Sequence, residues 1–212
     1  MKNRKILLSC GSNKGGEFLA WKESKVYDPE VLIYAFEPEP RCFTHLTNVM
    51  SQVPNITHIK KAISTEDGMQ SWNVGKLTVS GTLREDKNWG LTGEKILIET
   101  IDFCKWIEEN IEEDDYVMIT LDIEGSEYEI LQKMFETGAM KYINKMYVEF
   151  HGNKMNNKQT SKNIEAELKE KLLKTFGEEC YFRFVEGNFN MFKQAHPDLD
   201  PNMFNNIGTI GK

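Results

Sequence analysis

Two pairs of side chains, each spaced by one residue, carry the candidate chemistry of this sequence: Asp122-Ile-Glu124 and Glu149-Phe-His151. The first closes the apolar run Tyr116 to Leu121, which suits a strand buried on both faces of a parallel sheet. Ligands of open α/β sheets bind outside the carboxyl ends of such strands, so acids there mark a candidate site. Ser126 and Glu129 have the spacing of a capping box, and Glu127 suits a helix N-terminus. Asp122 and Glu124 precede that cap and are not explained by it. The second pair lies on a strand read over Lys145 to Gly152, whose alternation puts Glu149 and His151 on one face. A histidine there can act as a general base near neutral pH, oriented by Asp122 or Glu149. The competing assignment gives Asp122, Glu149 and His151 to Mg²⁺ or Mn²⁺, which would acidify a bound hydroxyl. No spacing fixes a metal site, so the base is preferred.

Other residues have types suited to a nucleotide. Lys5 to Cys10 reads as a first strand and runs into Gly11-Ser12-Asn13-Lys14-Gly15-Gly16, ahead of a helix from Glu17 to about Lys25. A glycine-rich turn of this kind lets backbone approach a ligand. Its G-x-x-x-G spacing misses the G-x-G-x-x-G fingerprint, which disfavours an NAD-linked dehydrogenase. A second strand, Val31 to Phe36, passes at once into Glu37-Pro38-Glu39-Pro40. Glu37 falls 26 residues after Gly11, near the roughly 20 at which a βαβ unit sets an acid against ribose hydroxyls. Pro38 and Pro40 end the strand, and Glu39 reads as a solvated acid of the turn.

These residues need a frame that brings strand ends together, and the remaining pattern supplies one. A helix is expected over Arg41 to Ser51, a strand over Ile56 to Lys60, and Ala62-Ile63-Ser64 at its end before the turn Thr65 to Gly68. Met69 to Val74 can form a strand, and Ser80 to Leu83 a turn closing over the site. Lys95 to Thr100 alternates as a strand, and Ile101 to Asn110 reads as a helix. The helix ending near Thr137 has Ile130, Leu131, Met134 and Phe135 on one face. Asn153 to Ser161 reads as a polar loop, Asn163 to Phe176 as a helix, and Cys180 to Glu186 with Phe189 to Lys193 as an antiparallel hairpin. Strands alternating with helices predict an α/β fold, here as a single domain over residues 1–212.

The net charge of −7 among 212 residues argues against a nucleic-acid partner, which asks for a basic face. No apolar run reaches membrane-spanning length. The basic start Met1 to Lys5 leads straight into the first strand and is expected to belong to the fold rather than to a signal peptide. Four scattered cysteines without C-x-x-C spacing are expected as free thiols, and the location as cytoplasmic.

Taken in order, several segments resemble the FkbM family of S-adenosylmethionine-dependent methyltransferases, over roughly residues 6–151. They are Gly11 to Gly15, Tyr34-Ala-Phe-Glu37-Pro38, Ala62-Ile-Ser64 before Gly68, Leu121-Asp122-Ile-Glu124-Gly125-Ser-Glu127 and Tyr147-Val-Glu149. The chain departs from the family at Ser9, where aspartate is usual, and at Thr120, where lysine is usual. The resemblance implies a Rossmann-like, seven-stranded class I methyltransferase sheet with helices on both faces. It implies that Gly11, Ser12, Asn13 and Gly15 pass beneath the methionine moiety of the cofactor, and that Glu37 with Pro38 holds the ribose. Ala62, Ile63 and Ser64 would border adenine, with Asp122 and Glu124 also beside the cofactor. The implied activity is O-methylation of a small molecule or carbohydrate, with a sugar or glycan hydroxyl as the expected acceptor. Ser9 and Thr120 favour the alternative, a catalytically inactive cofactor-binding module or partner subunit.

Overall fold

Apolar runs without an alternating polar face can be buried only between two layers of helices. In chain order the elements are β1 (Lys5–Cys10), α1 (Gly16–Lys22), β2 (Leu32–Phe36), α2 (Phe43–Met50), β3 (Ile56–Ile59), β4 (Ala62–Ser64), β5 (Gly68–Gly75), β6 (Leu91–Asp102), α3 (Phe103–Asn110), β7 (Tyr116–Leu121), α4 (Glu127–Thr137), β8 (Lys145–Val148), α5 (Lys158–Phe176) and β9 (Cys180–Phe182). The structure is a computed structural model in which residues 4–25 and 27–182 are described. Six strands form one sheet in the order β3-β2-β1-β7-β8-β9, and every neighbouring pair is parallel.

Alternation along the strands feeds two cores. Ile6, Leu8, Val117, Ile119, Met146 and Val148 face the layer that contains Ile107 of α3, Leu131 of α4 and Leu172 of α5. Leu7, Ile33 and Ala35 face Phe18 of α1 and Leu46 of α2. Helices therefore cover both faces, as the sequence implied. The main sheet has six described strands rather than seven. β9 forms and runs parallel to β8, while the rest of the expected C-terminal hairpin lies outside the described residues.

A second sheet, ordered β4-β6-β5, stands apart from the first. Ala62 to Ser64 belong to it as β4, not to a loop at the end of β3. β6 begins at Leu91, earlier than Lys95, because it continues to pair with β5 as far as Gly75. The following helix starts at Phe103, since Ile101 and Asp102 still pair with β4 and Asp102 caps the helix through Lys105 N. α5 begins at Lys158 because Asn157 accepts from Thr160 N, which turns the last four residues of the expected polar loop into helix. All four cysteines are buried free thiols. Among the described residues no helix is long and apolar enough to cross a membrane.

Candidate functional site

The chain lays β1, β2 and β3 outward in one direction and then returns to place β7 on the other side of β1. This is the topological switch point, where a crevice opens beyond the carboxyl ends of the strands. Backbone hydrogen bonds lace those ends together. Gly11 N and Ser12 N donate to Phe36 O at 3.0 and 3.2 Å, and Asp122 N donates to Cys10 O at 3.0 Å. Gly11 has φ +87°, and a Cβ there would lie 1.9 Å from the carbonyl oxygen of Asp122. Only glycine permits this crossing.

Glu37 is buried at the end of β2. Its Oε2 accepts from Asn13 N at 2.7 Å and its Oε1 from Glu39 N at 2.8 Å, so the carboxyl ties the glycine turn to its own turn. Burial pushes this carboxyl up to about 7, the amides of Glu39 and Asn13 oppose the rise, and the charges of Glu39 and Asp122 add to it. Pro38 is buried beside it. Ser12 turns inward, its hydroxyl donating to Ser9 O at 3.0 Å. Ser9, the departure from the family pattern, is buried and donates to a carboxylate oxygen of Glu17 on α1. Glu39 is not the solvated acid expected. It is buried, bound to Arg41, and accepts from Trp72 Nε1 at 3.2 Å.

The acidic segment after β7 folds around His151. Glu124 at φ 57° and Gly125 at φ 118° turn the chain back so that Glu127 reaches beneath it. Glu127 is wholly buried and accepts from Ile123 N and Gly125 N, each at 3.0 Å. Its Oε1 lies 2.8 Å from His151 Nδ1. His151 Nε2 faces Glu124 at 3.2 Å, Asp122 at 3.5 Å and Glu149 at 3.7 Å. The strand itself stops at Val148, but Glu149 N still donates to Leu121 O, which keeps Glu149 beside Asp122. The expected capping box does not form. Ser126 makes no side-chain cap, and Glu129 pairs with Arg84.

Two lysines without a sequence signal complete the cluster. Lys87, from the connection between β5 and β6, is buried and donates to Glu124 at 2.5 Å and to Ser80 O at 2.7 Å. Lys154 donates to both oxygens of Glu124, at 2.8 and 2.9 Å. Thr82 Oγ1 donates to Glu124 O, and Thr78 Oγ1 to Asn13 Oδ1. The 76–90 connection thus lies across both the glycine turn and the acidic segment.

Electrostatics follow from these contacts. Burial opposes ionisation of Glu124, but the bond from His151 and the charges of His151 and Lys87 outweigh it and hold its carboxyl at about 2. Burial would likewise lower His151, yet Glu127, Glu124 and Asp122 raise it well above its ordinary value, which favours the imidazolium. Asp122 moves up from its ordinary range, through burial first and then the charges of Glu149, Glu124 and Glu127, with His151 opposing. Its side chain keeps 42% exposure, so water reaches it and moderates that rise.

Donor atoms of Asp122, Glu127 and His151 lie within 4.8 Å of one another, a set whose composition suits a hard divalent cation. The orientation does not suit one. Glu127 Oε1 is taken by Ile123 N and His151 Nδ1, and His151 Nε2 is turned to Glu124.

The structure therefore brings Gly11, Ser12, Asn13, Gly15, Glu37 and Pro38 to one side of the crevice and Asp122, Glu124, Glu149 and His151 to the other. Ala62, Ile63 and Ser64 are buried in β4. Ile63 and Ser64 line a cavity of about 230 Å³, with Thr65, Leu83, Arg84 and Ser126 on its other walls. Against known proteins, the chain is 26% identical over 147 residues to the "Hexuronic acid methyltransferase AglP" of Haloferax volcanii, a match covering 69% of this chain and 56% of that relative. The chain thus spans little more than half the length of the curated relative it matches. Residues 9–184 match the family described as "Methyltransferase FkbM domain". That match covers most of the sequence, and the chain belongs to the FkbM methyltransferase family.

Proposed function

We propose that this protein is an S-adenosylmethionine-dependent O-methyltransferase acting on a hydroxyl of a sugar or glycan. The observation that carries the reading is the meeting of Gly11, Glu37 and Asp122 at the switch point, since ligands of such sheets bind there. The residues present fit the cofactor. Each oxygen of Glu37 accepts one backbone amide, leaving a lone pair on each for the two ribose hydroxyls. The turn Gly11 to Gly15 would carry the methionine moiety, with Ser12 and Asn13 contributing through backbone shape. The cavity beside Ile63 and Ser64 offers apolar walls in Leu83 and Ile130 for adenine.

When bound, the cofactor supplies an electrophilic methyl group: its C–S bond breaks, the electron pair stays on sulfur, and a C–O bond forms to the acceptor. The chain must hold acceptor and donor in line and take the hydroxyl proton. We assign that proton to Asp122, the most open carboxylate of the cluster and one whose proton affinity is raised. We set the His151 base suggested by the sequence aside because both ring nitrogens face carboxylates, a setting that favours the imidazolium over a free base nitrogen. As an imidazolium held by Glu127 and Glu124, it orients Asp122 and steadies its charge. A divalent cation is given no part.

The sugar acceptor is supported by the name of the Haloferax relative, and by an acidic composition that discourages nucleic acid. The test is calorimetric titration with S-adenosylmethionine and with NAD⁺, followed by detection of S-adenosylhomocysteine across a panel of sugars. Binding of S-adenosylmethionine near micromolar, about −8 kcal/mol, with turnover on a sugar, is the expected result. Binding without turnover on any hydroxylated acceptor would favour the non-catalytic module. Binding of neither cofactor would refute the reading.

A further inference from the structure

The small sheet leaves one stretch of strand backbone open. β5 pairs with β6 along one edge, while β4 takes up the other edge only from Thr100 to Asp102. Towards the start of β6 the pairing with β5 shifts register between Asn73 and Gly75, and Gly93 in that bulge has φ +88°. The regular part of the open edge is therefore Lys95-Ile-Leu-Ile-Glu99, bounded by the bulge at one end and by β4 at the other. No turn or loop covers it: among the described residues none makes a backbone hydrogen bond to these five.

Register with β5 divides the side chains of this stretch. Ile96 and Ile98 stand opposite Trp72 and Gln70 and pack into the small core with Val74 and Leu83. Lys95, Leu97 and Glu99 stand opposite Asn73, Ser71 and Met69 on the other face. There Leu97 is 71% exposed, more than any other large apolar side chain among the described residues, and Met69, diagonal to it, is 58% exposed. An apolar strand with open N–H and C=O groups is a template for a further strand, and charges on an edge usually blunt it. Here the charges are arranged differently. A lysine begins the stretch and a glutamate ends it, with Ile-Leu-Ile between, so the stretch is complementary to itself read backwards.

We propose that this edge docks a second copy of the chain, β6 against β6 and antiparallel, about a two-fold axis at Leu97. That axis sets Leu97 against its own copy, Ile96 against Ile98, and Lys95 against Glu99. Cross-strand pairs of β-branched residues and of opposite charges stabilise such a ladder, and like charges opposite each other destabilise it. An axis at Lys95 or Glu99 would set that charge against itself, and one at Ile96 or Ile98 would leave part of the stretch without a partner strand. The axis at Leu97 alone pairs the whole stretch with opposite charges matched. Within one chain Lys95 already meets Glu85 at 2.5 Å and Glu99 meets Lys61 at 2.8 Å, all four in solvent. The second copy therefore extends a row of alternating charges and breaks no buried pair. Docking joins the two small sheets and covers each Leu97 with the other. β5 and β6 also carry the two ends of the 76–90 connection, so the interface braces that connection from outside the crevice. The proposal does not depend on which cofactor or acceptor the crevice takes.

Sedimentation of the full chain from roughly 1 to 500 µM should show monomer passing to dimer with a Kd of about 10–100 µM, as suits an interface at the small end of the specific range. Leu97→Lys sets two ammonium groups on the axis and should weaken the dimer about tenfold or more at unchanged Tm. Lys95→Glu alone and Glu99→Lys alone each oppose like charges on both sides of the axis, so each should stay monomeric. An equimolar mixture of the two restores opposite charges and should form a heterodimer. Leu97→Cys should give a disulfide-linked dimer on mild oxidation, because facing residues of antiparallel strands lie about 4.5–5.5 Å apart at Cα, within disulfide reach. The four native cysteines are buried and leave that reaction clear. Met69→Cys, also exposed but off the axis, should not link. A wild type that stays monomeric throughout, a Leu97→Lys chain that dimerises as well, a mixture that forms no heterodimer, or equal linking of Met69→Cys would overturn the proposal. Slow exchange, in the dilute monomer, of the amides that point away from β5 would overturn it too, giving the edge to residues 183–212 of the same chain.

Discussion

Glu127→Gln removes one charge from the centre of the cluster while keeping the shape of the side chain. The wild-type carboxylate is wholly buried, accepts two backbone amides and faces His151 at 2.8 Å. A glutamine has a single acceptor oxygen, so one donor loses its partner and the imidazolium loses a buried counter-charge. Hydrogen bonds to charged groups contribute about 1.5–3 kcal/mol, and breaking a buried pair costs about 3–5 kcal/mol. His151 limits the loss by releasing its proton, so a destabilisation of about 3 kcal/mol at pH 6 is expected. For a chain of this length that is a fall in Tm of about 6–12 °C. The pH dependence gives the sharper check. His151 has a folded pKa raised above 6.5, so its contribution is complete below 6.5 and is lost as pH climbs through the folded value. The wild type should lose stability there by about 1.4 kcal/mol per pH unit from this group. Glu127→Gln keeps only the part that Glu124 and Asp122 provide, so it has less of that contribution to lose. Urea unfolding at pH 6 and pH 9 should therefore show the gap between the two proteins narrowing as pH rises. In a double-mutant cycle, Glu127→Gln with His151→Gln should cost less than the sum of the single changes. A gap below about 1 kcal/mol at pH 6, or an equal gap at both pH values, would refute the imidazolium held between carboxylates.

Gly11→Ala should lower Tm by more than about 6 °C and abolish cofactor binding, because its Cβ meets Asp122 O and its φ is positive; differential scanning calorimetry decides, and a near-native Tm would contradict the crossing. With Glu37 pushed up to about 7, S-adenosylmethionine affinity by calorimetry should weaken about tenfold per pH unit below 7, as ribose hydroxyls need the ionised carboxylate. Stability of the free protein runs the other way, since a raised carboxyl contributes most below 4.5 and loses that contribution as pH rises through about 7. Methyl transfer should be unchanged by EDTA, and a loss of activity restored by Mg²⁺ would reverse the orientation argument at Glu127 and His151. Asp122→Asn should reduce kcat by about 10²–10³ with little change in cofactor binding, the range expected for a positioned proton acceptor.

The parallel frame was legible because its strands are unbroken apolar runs ending in chemically odd residues. Lys5 to Cys10 and Tyr116 to Leu121 form as read, and the meeting of Gly11, Glu37 and Asp122 follows once those strands are neighbours. The second sheet was not legible. Ala62 to Ser64 are three small or apolar residues that fit a loop as well as a strand, and their pairing with β6 depends on residues some forty positions away. Lys87 and Lys154 gave no signal, since a lysine in a polar connection reads as solvated until its burial is known. Glu127 and Glu129 exchanged expectations for a local reason. Left-handed Glu124 and Gly125 reverse the chain, so Glu127 turns inward to His151 and Glu129 outward to Arg84. Local capping patterns describe a helix start but not a loop tightened by tertiary contacts.

The charge balance of the site explains why the connection over residues 76–90 belongs to it. Asp122, Glu124, Glu127 and Glu149 crowd the ends of β7 and β8, and two like charges about 4 Å apart repel by roughly 4 kcal/mol at an effective dielectric of 20. The carboxyl ends of these two strands bring no cation to offset this, Lys145 lying at the other end of β8. Two come from the segment after β8, as His151 and Lys154, and the third is Lys87, carried in from the second sheet. Because Lys87 and Thr82 hold Glu124 while Thr78 holds Asn13, the same segment spans the glycine-turn side and the acidic side of the crevice. Displacing it would expose the glycine turn and at the same time strip Glu124 of a buried partner. The two halves of the site are therefore joined energetically through a connection that belongs to neither strand end.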